Sequence, residues 1–164
     1  MNGERYSLMS ELPHANHFTE LTVWQEARRL SRTIFQITLE FPKEERYGLS
    51  SQIRNSSRSI GAQIAEAWGK RRYEKHFISK LTDADGEQYE TQHWIITAYD
   101  SKYLTKEQAS DLGAACKTIG SRLGRMISLS PQFCGKPGGT GNIVREPPPL
   151  DEFFTKSKPE LDYE

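Results

Sequence analysis

Seven positive side chains lie between positions 54 and 80 (Arg54, Arg58, Lys70, Arg71, Arg72, Lys75 and Lys80), against two negative ones, Glu66 and Glu74. Lys and Arg at this density are what holds phosphate backbones, with counterion release supplying free energy. Arg54, Arg58, Lys70, Arg71, Arg72 and Lys75 are therefore the candidate nucleic-acid-binding residues. The next stretch reverses the sign. Asp83, Asp85, Glu87, Glu90, Asp100, Glu107 and Asp111 oppose only Lys102 and Lys106, so a net +5 is followed by −5. The chain as a whole carries 22 Lys+Arg and 22 Asp+Glu, a neutral total that argues against an indiscriminate polyanion binder and leaves a local patch open. Two plainer readings compete: a solvated helix surface, and pairing of the +5 surface of one protomer with the −5 surface of the next. Cations at a helix C-terminus account for Lys70. Arg71 and Arg72 are expected at the start of the following helix, where the dipole disfavours them.

Other chemistry finds less support. Trp68, Tyr73 and Phe77 lie near the basic cluster and offer rings for base stacking. Trp24, Trp68 and Trp94 nevertheless fall one to a helix, the distribution expected of packing. Asp83, Asp85 and Glu87 are two apart and fan over different helix faces. A di-metal bundle requires Glu-x-x-His on two helices plus two partner glutamates. The helical body holds one such motif, Glu90-Thr-Gln-His93. His14 and His17 stand in the N-terminal arm without other ligands, so no metal or other cofactor is expected. Cys116 falls on an apolar stripe and reads as a small core residue. Cys134 reads as an exposed tail thiol. Nucleophile-elbow and phosphate-loop motifs are absent, and Gly138-Gly139-Thr140-Gly141 lacks the following Lys-Ser/Thr. The expected class is non-catalytic.

The elements that position these residues follow from proline. None of the eight prolines lies between Lys43 and Ser130, and six lie from Pro131 onward. A proline-free stretch leaves room for long helices. Helix one runs from about Val23 to Glu40, its stripe Val23, Ala27, Leu30, Ile34 and Ile37, with Arg28, Arg29 and Arg32 off it. Thr22 and Gln25 form a candidate capping box there. Helix two runs from Tyr47 or Leu49 to Trp68 through Leu49, Ile53, Ser56, Ile60, Ile64 and Ala67, with Gly69 as a left-handed stop. Helix three runs from about Tyr73 to Ser101, carrying Phe77, Leu81, Ala84, Ile95, Ile96 and Tyr99 and crossing Gly86. Helix four begins at a second capping box, Thr105 and Gln108, and carries Leu112, Cys116, Ile119, Leu123 and Met126 to about Leu129. Strand alternation is absent over any useful length. The class is all-α: an antiparallel up-and-down four-helix bundle over 21–130, with irregular arms at 1–20 and 131–164. The second arm is Pro/Gly-rich and expected to be disordered. No segment reaches the roughly 18 apolar residues of a membrane helix. The first twenty residues lack a signal-like apolar block, and two cysteines make no disulfide framework; a reducing, cytoplasmic setting is expected. Gly113, Gly120 and Gly124 lie on helix four. Each costs up to about 1 kcal/mol relative to alanine inside a helix, so they are candidate close-packing positions, within the bundle or between subunits.

Particular residues carry a resemblance. Leu21-Thr-Val-Trp-Gln-Glu-Ala27, Phe41-Pro-Lys-Glu-Glu-Arg-Tyr-Gly-Leu49, Gln52-Ile-Arg54, Ser59-Ile60 and Ala62-Gln-Ile-Ala-Glu66 resemble the first two helices of a known group. These are the small bacterial four-helix-bundle proteins named after the 23S ribosomal RNA intervening sequence. Helices three and four match mainly in pattern and length. The chain departs from the common pattern at Asn55-Ser-Ser-Arg58, at Gln63 and at Ala67. The resemblance implies a bundle assembled into a ring, typically of five subunits, with no established catalysis. Through a related protein serving diversity-generating retroelements, it also implies contact with nucleic acid and a reverse transcriptase. The expected partners are thus further copies of the chain, RNA or DNA, or another protein.

Overall fold

The computed structural model describes residues 15–134 together with Leu150, Phe153 and Phe154. The expectations of irregularity and disorder for 1–14, for 135–149, for 151–152 and for 155–164 lie outside the described residues. Four helices form where the stripes place them: α1 Thr22–Thr38, α2 Leu49–Lys70, α3 Glu74–Asp100 and α4 Lys106–Ser128, followed by a short α5, Ser130–Phe133. Each long helix packs on two neighbours in the cyclic order α1, α2, α3, α4 and back to α1. Short connections make the helices antiparallel. Among the described residues there is no strand.

The stripes become one core. On α3, Phe77, Leu81, Ala84, Gln88, Thr91, Ile95 and Ala98 are buried at uninterrupted 4-3 spacing, and the helix runs through Gly86. Its polar middle is accommodated by hydrogen bonds, which buried polar groups require. Gln88 Nε2 donates to Asp85 Oδ1 at 3.1 Å, Gln92 Nε2 donates to Gln88 Oε1 at 2.6 Å, and Thr91 Oγ1 donates to Ser56 Oγ of α2 at 3.0 Å. Gly120 of α4 faces this network. A Cβ there would stand 3.0 Å from Gln88 Nε2. A half-buried ion pair, Arg122 Nε to Glu26 Oε2 at 2.9 Å, links α4 to α1.

The connection Phe41–Leu49 shows what its residues do. Glu45 Oε2 accepts from the Leu49 amide at 3.0 Å and so caps α2, whose own N-cap Gly48 has no side chain. Glu45 Oε1 accepts from Tyr103 Oη at 3.2 Å, tying the α1–α2 turn to the α3–α4 turn. A Cβ at Gly48 would lie 2.8 Å from Glu45 Oε2, so a side chain there would displace the capping carboxylate. Phe41 is buried beside Tyr103, their ring centroids 5.4 Å apart.

Several expectations need correction. Thr22 and Gln25 make no capping box. Leu21 is the N-cap, and Gln25 Nε2 instead donates to the Thr19 carbonyl at 2.9 Å. Gly69 is not a left-handed stop, because α2 continues to Lys70 and ends on Arg71 in right-handed geometry. Among the described residues, the non-glycine position with left-handed backbone is Lys102, φ 63°, in the α3–α4 turn. Ile96 and Tyr99 leave the core, at 60% and 44% exposure, because the α3 stripe passes through Gln88 and Thr91 instead. The fold also passes both expected arm boundaries. Residues 18–20 form a 3₁₀ turn with His17 buried beside it. At the other end, Pro131 sits in the first turn of α5, a position proline tolerates. Phe133 stacks on Phe77 at 5.7 Å, and Ser130 Oγ donates to Glu74 Oε1 at 2.6 Å.

Candidate nucleic-acid interface

The six candidate cations fall into two groups. Arg54 and Arg58 lie on the side of α2 that faces α1. Their guanidinium carbons stand 4.9 and 5.6 Å from the centre of the Phe35 ring, and Arg54 Nε donates to Thr38 Oγ1 at 2.7 Å. Arg54 is half-buried and positioned; Arg58 is exposed. Lys70 lies twelve residues further on, about 18 Å along the helix and roughly 120° around it. It pairs with Glu66 Oε1 at 2.6 Å. Lys80 of α3 joins the same carboxylate at 3.4 Å and reaches Asp83 at 3.2 Å. The hydrogen bond from Lys70 holds the Glu66 carboxyl below the usual range. Exposed pairs of this kind are weak and exchange readily.

Arg71 is a cap. Its Nη1 donates to the Trp68 carbonyl at 2.6 Å and its guanidinium lies 4.0 Å from the centre of the Trp68 ring. The residue therefore sits at the C-terminus of α2, where the dipole favours a cation, and not at the start of α3, which begins at Glu74 behind the N-cap Tyr73. Burial lowers its pKa. Arg72 and Lys75 are exposed, Arg72 beside the Tyr73 ring at 5.8 Å. Trp68 and Phe77 are buried, and Tyr73 is 58% exposed. Lys70, Arg71, Arg72 and Lys75 occupy the α2–α3 end, Arg54 and Arg58 lie back along α2 toward its start, and the acidic stretch runs along α3 to the α3–α4 end. The 27 residues of α3 separate those ends, about 40 Å of helix.

The remaining candidates are placed as follows. Glu90 Oε1 accepts from Trp94 Nε1 at 3.1 Å and His93 is exposed. Burial pushes the Cys116 thiol up to about 12. Cys134 is half-buried, not exposed as expected, and is pushed up to about 11, chiefly by burial. Both stay protonated and poorly nucleophilic at neutral pH. Among the described residues no group of three His, Cys, Asp or Glu side chains is arranged to hold a metal. No described helix is long and apolar enough to cross a membrane.

Residues 19–125 match the family described as 23S rRNA-intervening sequence protein. The chain belongs to that family. A solved structure of a protein of unknown function from the S23 ribosomal protein family of Bacteroides thetaiotaomicron is 27% identical. The match covers 65% of this chain and 95% of that one, with a TM-score of 0.58. No curated protein matches the chain. Neither the family description nor the solved structure names a reaction. The family match ends at residue 125, so α5 and the segment holding Phe153 lie beyond it.

Two features of this intervening-sequence bundle escaped sequence reasoning. Trp24, Arg28 and Phe35 share one side of α1; their spacing of four and seven was the available signal, but Trp24 alone reads as packing and Arg28 as a residue off the core stripe. The second is His17, 7% exposed, its Nδ1 2.9 Å from Thr19 Oγ1. Burial lowers its pKa below 6.5, Glu20 opposing and Arg71 assisting. The folded state therefore binds this proton less readily than the unfolded chain does. Stability is full above the ordinary value of 6.5 and declines as pH falls through it. We expect the melting temperature to fall by about a few degrees from roughly pH 7.5 to 5.5. The decline should be smaller in His17→Gln; equal declines in circular-dichroism melts would place the titration elsewhere.

Proposed function

We propose that the protein is a non-catalytic homo-oligomer, a ring of five on the family resemblance, that binds structured RNA through its basic surface. The observation that carries the reading is the state of Arg58, Arg72 and Lys75. They are exposed and have no carboxylate partner among the described residues. Free cations of this kind engage phosphates without first breaking an ion pair. Lys70 joins by exchanging Glu66 for phosphate, while Arg54 and Arg71, held by Thr38 and Trp68, shape the surface. Such contacts read the backbone and confer little sequence preference. Repetition around a ring adds weak contacts through multivalency. Binding of an RNA hairpin to the whole chain under increasing salt tests this. Retention that weakens with salt supports it; absent or salt-insensitive retention contradicts it.

Assembly rests on α3 and α4. A groove of about 280 Å³ between them is lined by Ile95, Ile96, Tyr99, Ala109 and Gly113 among others. Gly113 and Gly124 have nothing within 4 Å of where a Cβ would stand, whereas Gly120 is accounted for inside the bundle. If the first two lie between subunits, Gly113→Ala and Gly124→Ala should dissociate the oligomer in light scattering. In a lone protomer both would instead stabilise by up to about 1 kcal/mol each. The same charges favour a second reading, a structural ring held by the +5 and −5 surfaces of neighbouring copies. In that case neutralising Arg72 and Lys75 would release protomers near 19 kDa.

A further inference from the structure

The α1–α2 flank carries two rings at the edge of the core, Phe18 and Trp24, and a cation that the proposed phosphate contacts do not use. Trp24 meets Phe18 edge to face at 5.2 Å. Its indole lies over Gly61 of α2, where a Cβ would be 3.6 Å from Nε1. Arg28 is exposed, its guanidinium 5.9 Å from the centre of the Trp24 ring. One residue from far along the chain enters this corner. Phe153 packs edge to face on Trp24 at 5.8 Å and lies 5.2 Å from the Arg28 guanidinium. Leu150 and Phe154 remain 61% and 67% exposed. Of the three described residues of this segment, Phe153 is the one that packs on Trp24.

We propose that Trp24 and Arg28 form a seat for an unpaired nucleobase of RNA, filled in the free protein by the chain's own Phe153. This rests on the reading that the basic surface binds RNA, and it assigns the unpaired residues of that RNA to this flank. A base offers the same flat ring as Phe153, with a face for the guanidinium and for the indole edge. It also brings phosphates. Phe35, with Arg54 and Arg58 over it, lies seven residues along α1 from Arg28, about 10 Å of helix. Cations for those phosphates thus continue on the same flank. The phenyl ring supplies no such second contact, so RNA gains where the tail does not.

The tail is a tethered competitor. Eighteen residues, with four glycines and four prolines, separate Cys134 from Phe153. A tethered group competes at an effective concentration of about millimolar, which a multiply contacting ligand overcomes.

The test uses the whole chain with a single-stranded oligoribonucleotide and a blunt RNA duplex, read by fluorescence anisotropy. Phe153→Ala lies in the tail and leaves the core intact. It is expected to tighten single-strand binding about tenfold, the factor for a seat filled nine-tenths of the time, and to leave duplex binding unchanged. Arg28→Gln, at an exposed position, is expected to weaken single-strand binding and to abolish the gain from Phe153→Ala. Unchanged single-strand affinity in Phe153→Ala overturns the seat while salt-dependent hairpin binding still upholds the proposed function. An equal gain on the duplex also overturns the seat, because the tail would then merely shield the surface. Absence of binding to single strand, duplex and hairpin by every variant overturns both.

Discussion

Phe77→Ala should remove about 3–5 kcal/mol of folding stability, the range for emptying a fully buried phenyl site. Phe77 is wholly buried in the first turn of α3 and stacks on Phe133. Deleting the ring therefore opens a void at the end of the bundle where α2, α3 and α5 converge. Domains of this size hold only about 5–15 kcal/mol in total. The variant should melt at least about 10 °C lower by circular dichroism, or fail to fold at neutral pH. A shift of only a degree or two would mean that this end collapses around the gap, and that α5 is not part of the cooperative unit.

The second large effect falls on binding and spares the fold. Replacing Arg58, Arg72 and Lys75 together by Gln removes three exposed cations that make no ion pair among the described residues. Affinity for an RNA hairpin should drop on the order of several hundredfold to a thousandfold at about 0.1 M salt, each of the three phosphate contacts contributing close to one logarithmic unit there. Helicity and oligomer size should stay as they are. Arg71 is left out because it caps α2; Arg71→Ala would confuse lost phosphate contact with fraying of the helix end. Release of monomers by the triple variant, with hairpin affinity retained, would favour the structural ring.

The helices were legible because the buried positions alternate at three and four residues over long proline-free stretches, a pattern only one helix face satisfies. Core membership failed at Ile96 and Tyr99 for a local reason. In the last turns of α3 the buried positions are Ile95 and Ala98, in register with the polar Gln88 and Thr91 before them, which Asp85, Gln92 and Ser56 make tolerable. Ile96 and Tyr99 fall outside that register. Gly69 misled because a cation, Arg71, satisfies the end of α2 that a left-handed glycine would otherwise close. Of the candidate site, the charges were readable and their grouping was not. Arg54 and Arg58 are turned toward Phe35, and Lys70 toward Glu66, by a rotation about α2 that counting charges ignores. The contact of Phe153 with Trp24 joins positions 129 residues apart. No periodicity carries a contact of that range.

The measurement that bears most directly on RNA binding is the salt dependence of hairpin affinity, compared between the parent chain and the Arg58, Arg72 and Lys75 triple variant. Log affinity plotted against log salt over roughly 50 to 200 mM should be a falling line for the parent, and the variant's line should be shallower by about two units or more. Lines of equal slope, or no hairpin binding by the parent at the lowest salt, would contradict the account.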